Sequence, residues 1–229
     1  MIERIEYKYF VARWKSASLL NDVFPFCVPD PHAAEDDCTY HVASVYFDDM
    51  EMRAYHQKLS GQTRRTKVRV RFYPRCENSP YFLEFKQKVG DRVYKDKASV
   101  APDMVFATKT CAMSGETLSD NVAILARYSG LKPVLRIDYE RVALTSRTDS
   151  RVRITLDRNV RCARVTGDEM PEPHRPVLPD DVAVLEIKAP SYMPFFATRV
   201  VEKYRLQRRA ISKYGSAVQN LAVNSSFVF

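Results

Sequence analysis

Glycine is scarce in this chain, at six of 229 residues. A Gly-rich phosphate cradle is therefore excluded, and neither a Walker A loop nor a GxGxxG pattern occurs; a GxSxG nucleophile elbow is absent too. The five cysteines, Cys27, Cys38, Cys76, Cys111 and Cys162, are scattered, odd in number and form no CxxC pair. They indicate neither a zinc site nor a disulfide framework, and reduced structural thiols are expected. The four histidines, His32, His41, His56 and His174, stand in no metal-ligand spacing. No apolar run approaches the roughly 18 residues that span a bilayer. The start, Met1 to Glu6, is charged and lacks the apolar stretch of a signal peptide, so a cytoplasmic location is expected.

Positive charge is in excess: 36 Lys and Arg against 28 Asp and Glu, a formal net charge of +8. Such a balance points to a polyanionic partner, whether nucleic acid, an anionic membrane surface or a phosphate-rich small molecule. With 45% hydrophobic and 28% charged residues the chain can bury a core. One domain over 1–229 is expected, with a body over 1–190 and a C-terminal helical segment over 191–229.

The clearest pattern is Lys67 to Tyr73. Lys67, Arg69, Arg71 and Tyr73 alternate with Val68, Val70 and Phe72. A strand has a side-chain period of two, so this stretch carries three cations on one face and an apolar row on the other. The design returns. Glu3 to Tyr9 sets Arg4, Glu6 and Lys8 opposite Ile5 and Tyr7. Tyr40 to Phe47 is rich in β-branched and aromatic residues. Tyr81 to Val89 sets Phe82, Glu84, Lys86 and Lys88 on one side, and Gly90-Asp91 turns it into Arg92 to Val100, where Lys95 and Lys97 share a face. Val134 to Ser146 pairs with Arg151 to Leu156, in which Arg153, Thr155 and Asp157 oppose Val152, Ile154 and Leu156. Val182 to Lys188 sets Glu186 and Lys188 opposite Leu185 and Ile187.

Helices are predicted over Trp14 to Val23, from a cap at Asp48-Asp49 to about Leu59, from Pro102-Asp103, over about Ser119 to Tyr128, and from Pro194 to about Leu221 with a break near Leu206 to Arg209. Asp30 to Asp37 reads as an acidic loop, and Val165 to Asp181 as a loop with four prolines. Trp14, Phe24 and Phe26 are expected as core or helix-packing residues, and Arg205, Arg208 and Arg209 on a solvated helix face. The whole is an α+β protein on an antiparallel sheet.

Two pictures fit the charged faces. In the plainer one they are outer faces where opposite charges intersperse, each pair worth ~0–1 kcal/mol. In the sharper one the sheet closes into a barrel and the charged faces line a polar bore. Two like charges ~6 Å apart at an effective dielectric of ~20 repel by about 2.8 kcal/mol, so such a bore recruits anions. Carboxylates among the cations make sense if they hold a divalent metal that bridges phosphates. A nucleic-acid groove needs no carboxylates, and no RNP-like aromatic motif occurs, so no nucleic-acid partner is expected.

Seven motifs then occur in one order: Arg4-Ile5-Glu6-Tyr7-Lys8-Tyr9, Ser44-Val45-Tyr46-Phe47-Asp48, Val68-Arg69-Val70-Arg71-Phe72-Tyr73, Phe82-Leu83-Glu84-Phe85-Lys86, Arg141 followed by Val152-Arg153-Ile154, Val184-Leu185-Glu186-Ile187-Lys188, and Ser212-Lys213-Tyr214. Together they resemble the VTC domain, the polyphosphate polymerase domain of the eukaryotic vacuolar transporter chaperone complex, and its bacterial relatives among the triphosphate tunnel metalloenzymes. The resemblance implies a closed eight-stranded antiparallel barrel with flanking helices. It implies transfer of the ATP γ-phosphoryl group to a growing polyphosphate chain, assisted by Mn²⁺ or Mg²⁺. It assigns phosphate contacts to Lys8, Arg69, Arg71, Lys86, Arg141 and Arg153, to Lys95 or Lys97, and to Lys213, with Arg4 and Lys188 beside them. It makes Glu186 the metal ligand, with Glu6 and Glu84 at further carboxylate positions. Two departures stand out. Ala210 replaces a lysine of the eukaryotic domain, for which Arg208 or Arg209 could substitute, and Glu6 brings the chain nearer to the superfamily's hydrolases. A tunnel phosphohydrolase and a non-catalytic polyanion-binding module therefore stay open beside the polymerase, as does a separate membrane partner. Arg141 shares its parity with Leu135 and Ile137, for which a bulge is expected.

Overall fold

The computed structural model describes residues 5–30, 38–74, 79–90, 92–106 and 130–223. Cys76, Cys111, His32, Arg4 and the helix expected over Ser119 to Tyr128 lie outside them.

Among the described residues ten strands form: β1 (Ile5–Ala12), β2 (Cys27–Pro29), β3 (Thr39–Asp48), β4 (Arg64–Phe72), β5 (Tyr81–Val89), β6 (Arg92–Val100), β7 (Lys132–Ser146), β8 (Arg153–Arg164), β9 (Arg175–Pro176) and β10 (Val182–Ala189). Four α-helices accompany them among the same residues: α1 (Ser16–Val23), α2 (Arg53–Leu59), α3 (Phe195–Lys203) and α4 (Lys213–Val223). The sheet follows the order β1-β10-β8-β7-β3-β4-β5-β6, with β2 added on β7 and β9 on β8. The expected antiparallel sheet with flanking helices is thus present.

Among the described residues its expected closure is not made by hydrogen bonds, because the order has two ends, β1 and β6. The edge of β1 is taken by the C-terminal linker instead. Tyr9 bridges Arg208, and the Arg209 N–H donates to the Lys8 carbonyl at 2.8 Å. At the other end, β6 is an exposed edge studded with Lys95, Asp96 and Lys97, the kind of charge that blunts edge-to-edge pairing.

The chain divides into two compact units. The first comprises residues 1–41, 139–160 and 178–212, and the second 42–138, 161–177 and 213–229. The C-terminal helical segment is accordingly shared, α3 in the first unit and α4 in the second. In the first, Tyr9, Val11, Leu19, Val23, Leu144, Ile154, Leu156, Leu185, Ile187 and Val200 form the core. In the second, Val45, Phe47, Val68, Val70, Phe72, Leu83 and Phe85 do so. Each core strand contributes its apolar parity, so the opposite parity carries the charges. A buried Leu, Ile or Phe stabilises by about 1.5–3 kcal/mol, and this is what fixes register against a one-residue slip.

Several expectations need correction. Trp14 is 79% exposed, because Arg13–Lys15 form a single 3-10 turn ahead of α1 and the ring stays outside, under the Lys15 ammonium. Phe26 is exposed rather than in the core, yet it packs on a helix, its ring stacked on Phe196 of α3 at 4.9 Å. Arg205, Arg208 and Arg209 lie between α3 and α4, not on a helix face. The Arg208 guanidinium sits 4.7 Å over the Tyr7 ring and donates to the Glu6 carbonyl. Between Leu135 and Leu144 every residue of β7 is buried except the half-buried Asp138 and Glu140, and Arg141 is buried on the parity of Leu135 and Ile137.

Asp48 organises the second unit. Its carboxylate accepts the N–H groups of Asp49 (3.0 Å), Ala54 (2.9 Å) and Tyr55 (3.1 Å) and the Tyr214 hydroxyl (2.6 Å). One buried anion therefore holds the end of β3, the start of α2 and the start of α4, and the expected cap at Asp48-Asp49 is real. We expect Asp48→Ala to lower unfolding free energy by about 2–4 kcal/mol, since it strands buried donors. Urea unfolding measures this, and a loss well below about 1 kcal/mol contradicts the assignment.

Candidate functional site

In the first unit the register of β1, β10 and β8 lays charges in rows. Glu6 opposes Lys188, which opposes Arg153. Lys8 opposes Glu186, which opposes Thr155. Opposite charges face each other between β1 and β10, the arrangement that favours cross-strand pairing, whereas Lys188 and Arg153 set like charges opposite each other between β10 and β8. The Lys8 ammonium lies 3.5 Å from Glu6 and 3.4 Å from Glu186, and Lys188 lies 2.8 Å from the other Glu186 oxygen. Burial alone would lower the Lys8 pKa, but the two carboxylates outweigh it and raise it.

On β8 the same face continues through Asp157. Arg141 donates to both Asp157 oxygens, from Nε at 2.6 Å and Nη2 at 2.8 Å. The pair is buried, and Asp157 offsets the desolvation of the guanidinium, whose pKa stays well above its ordinary value. Arg153 donates to Asp30 and, at 3.3 Å, to the Tyr40 hydroxyl. Asp30, in the segment expected to be an acidic loop, is instead buried and tied by its N–H to the Ala143 carbonyl.

In the second unit, rows run across β3, β4, β5 and β6. Tyr46 opposes Arg69, Arg69 opposes Glu84, and Glu84 opposes Lys97. One row on, Lys67 opposes Lys86, and Lys86 opposes Lys95. Glu84 gathers Arg69, with Nε at 2.8 Å and Nη2 at 2.6 Å, and Arg71 at 3.4 Å. Burial would raise the Glu84 pKa, but these arginines bring it below the usual carboxylate range. Arg69 also donates to the Tyr46 hydroxyl at 3.1 Å. Burial would raise the phenol's pKa too, yet Arg69, Lys67 and Arg71 bring it down to about 8. The Tyr46 ring stacks on Tyr214 at 5.2 Å, and the Lys67 ammonium sits 5.6 Å from both ring centroids. Lys97 lies 3.5 Å over the Phe82 ring. Lys213 opens α4 beside the anchored Tyr214.

The structure therefore gathers Lys8, Glu6, Glu186, Lys188, Arg153 and Arg141 on one sheet face of the first unit. Arg69, Arg71, Glu84, Lys86, Lys95 and Lys97 share a face of the second. Asp30, Tyr40 and Tyr46 are site neighbours that the pattern did not single out; Asp157 was visible in the parity of β8. Among the described residues no group of three or more His, Cys, Asp or Glu side chains is arranged to hold a metal. No helix among them is long and apolar enough to cross a membrane. The described cysteines, Cys27, Cys38 and Cys162, form no disulfide, and burial pushes the Cys27 and Cys162 thiols up to about 11.

Comparison with known proteins places the chain in a family. The family model of the VTC domain matches residues 3–222. Subunit 4 of the vacuolar transporter chaperone complex of Schizosaccharomyces pombe is 26% identical over 164 residues, 61% of this chain and 22% of that protein, so the chain spans about a fifth of that relative's length. Among solved structures, a candidate adenylate cyclase of Bacillus halodurans superposes with a TM-score of 0.55 at 12% identity, covering 92% of this chain and 95% of its own. A protein of Pyrococcus horikoshii does so with a TM-score of 0.51 at 13% identity, covering 96% and 99%. At such identities the likeness extends to the fold alone. The seven motifs and the family match run over the same length of sequence, and the chain belongs to the VTC domain family.

Proposed function

We propose that this protein is a metal-dependent polyphosphate polymerase that transfers the γ-phosphoryl group of ATP to a growing polyphosphate chain. The observation that carries the reading is the lysine row of the second unit. Lys67, Lys86 and Lys95 stand directly opposite one another on three adjacent strands, where like charges repel. A polyanion laid along that row turns the repulsion into attraction, and each charge-assisted bond to a phosphate oxygen contributes about 1.5–3 kcal/mol. Membership of the VTC domain family, resemblance to which implies polyphosphate synthesis, supports the same substrate class.

In this reading Arg69, Arg71, Lys86, Lys8, Arg153, Lys188 and Lys213 bind phosphate oxygens. Lys95 or Lys97 of β6 joins them: Lys95 stands opposite Lys86, and Lys97 stands opposite Glu84 and lies over the Phe82 ring. Arg141, fixed by Asp157, offers its remaining N–H groups. Transfer of this kind depends on positioning and charge stabilisation, so no side-chain nucleophile is needed: the terminal oxygen of the acceptor chain attacks the γ-phosphorus in line while the ADP oxygen leaves.

The residues fit a divalent cation. Glu6 and Glu186 already bracket the positive charge of Lys8, and Mg²⁺ or Mn²⁺ commonly takes one or two carboxylates together with phosphate oxygens. Glu186 and Glu6 would hold the ion, and Glu84 serves the arginines instead. The ion would supply neutralisation of phosphate charge. A cytoplasmic location, with a separate membrane partner, belongs to the same proposal. The second reading, a tunnel phosphohydrolase of inorganic triphosphate or nucleotides, is favoured by Glu6.

Incubation with ATP and Mn²⁺ separates the two readings. Long polyphosphate on a gel supports the polymerase, and phosphate release alone supports the hydrolase. Glu186→Gln is expected to abolish metal-dependent turnover while part of the ATP binding survives; wild-type turnover in that variant overturns its assignment. A pH prediction follows from Tyr46. Its hydroxyl ionises near 8 in the unliganded protein, and tyrosinate repels phosphate. Tripolyphosphate affinity should fall as pH rises through about 8, and Tyr46→Phe should remove that step from the titration.

A further inference from the structure

Five side-chain polar atoms among the described residues are sealed from solvent without a hydrogen-bond partner: Ser16 Oγ, Ser44 Oγ, Arg71 Nε, Arg153 Nε and Thr155 Oγ1. Buried polar groups are nearly always satisfied, because an unmade bond costs the full desolvation of the group. Ser16 begins α1, away from the charged faces. The other four form two pairs of one kind. Ser44 and Arg71 stand directly opposite each other across β3 and β4. Arg153 and Thr155 are two residues apart on β8 and so share a face. Each pair combines a hydroxyl with a guanidinium Nε, and each lies on a face that carries the cations. Ser44 is 0% and Thr155 2% exposed.

We infer that Ser44 and Thr155 are substrate-binding residues, each acting with its neighbouring arginine as a two-donor subsite for a phosphate oxygen of a polyphosphate chain. The chemistry selects the ligand. An N–H and an O–H that lack an acceptor call for one, and the surrounding cations require that it be anionic. Thr155 opposes Glu186 on β10, and Glu186 is flanked by Lys8 and Lys188; Ser44 lies two residues from Tyr46, the partner of Arg69. A phosphate oxygen that meets these four donors recovers, as affinity, the desolvation already spent on them. A hydroxyl also contributes reach without charge, which allows a phosphate to leave again as the chain advances. The inference rests on the polyphosphate reading of these faces.

The test compares binding with stability. Wild type, Ser44→Ala, Thr155→Val, Thr155→Ser and the control Ser16→Ala are titrated calorimetrically with tripolyphosphate, and their thermal midpoints are measured without ligand. Ser44→Ala and Thr155→Val should each weaken binding about tenfold while leaving the midpoint unchanged or raised, because no hydrogen bond of the unliganded fold is lost. Thr155→Ser should restore binding, and Ser16→Ala should bind as wild type. Wild-type affinity in both Ser44→Ala and Thr155→Val overturns the inference while leaving the polyphosphate reading intact. A lowered midpoint with unchanged affinity assigns the hydroxyls to the fold and overturns it as well. Failure of the wild type itself to bind tripolyphosphate removes both.

Discussion

Like charges set directly opposite one another across a sheet are the constraint on which this structure turns. Lys67, Lys86 and Lys95 are brought into line because Val68, Val70, Leu83 and Phe85 must face the core. Register is set by the apolar parity, and the cations follow. Glu84 meets Arg69 and Arg71 in the next row, and in the first unit Glu186 and Glu6 meet Lys8. The carboxylates space the cations and hold their side chains, at a net charge that remains positive.

The same economy governs the supporting residues. Asp48 joins three elements through one carboxylate and places the Tyr214 ring against Tyr46. Asp157 fixes Arg141 in a buried bidentate pair, a geometry that costs desolvation and returns orientation. Asp30 holds Arg153 through a charge-assisted hydrogen bond. The arginines of the site are thus held before any ligand arrives, which is how a positioning mechanism lowers its barrier.

Much of this was legible in the sequence, for a physical reason. A strand with one apolar and one charged face announces itself by its period of two, and β4, β5, β6 and β10 lie within a few residues of the stretches their patterns predict. β2 and β9 were not legible: three and two residues long, they arise from pairing with β7 and β8 rather than from any pattern of their own. Trp14 misled because a large ring next to an amphipathic run suggests core, whereas a single 3-10 turn sets it outside. The arginine partners were hidden for another reason. Asp30 lies 123 residues from Arg153 in the chain, a separation that no local pattern reports. Closure of the barrel was one of two pictures that fitted the charged faces, and the resemblance implied it; the edge of β1 is instead occupied by Arg208 and Arg209, a pairing that two arginines in a linker do not advertise.

The central claim is that these charged faces are built for a polyphosphate and are not merely solvated exteriors. Thermal unfolding in tripolyphosphate, against sodium chloride at matched ionic strength, tests it most directly. A specific site stabilises by mass action, about 2.7 kcal/mol at a hundredfold excess over Kd, so the midpoint should climb with the logarithm of tripolyphosphate concentration and stay well above the salt control. Coincident midpoints in the two series would contradict the account.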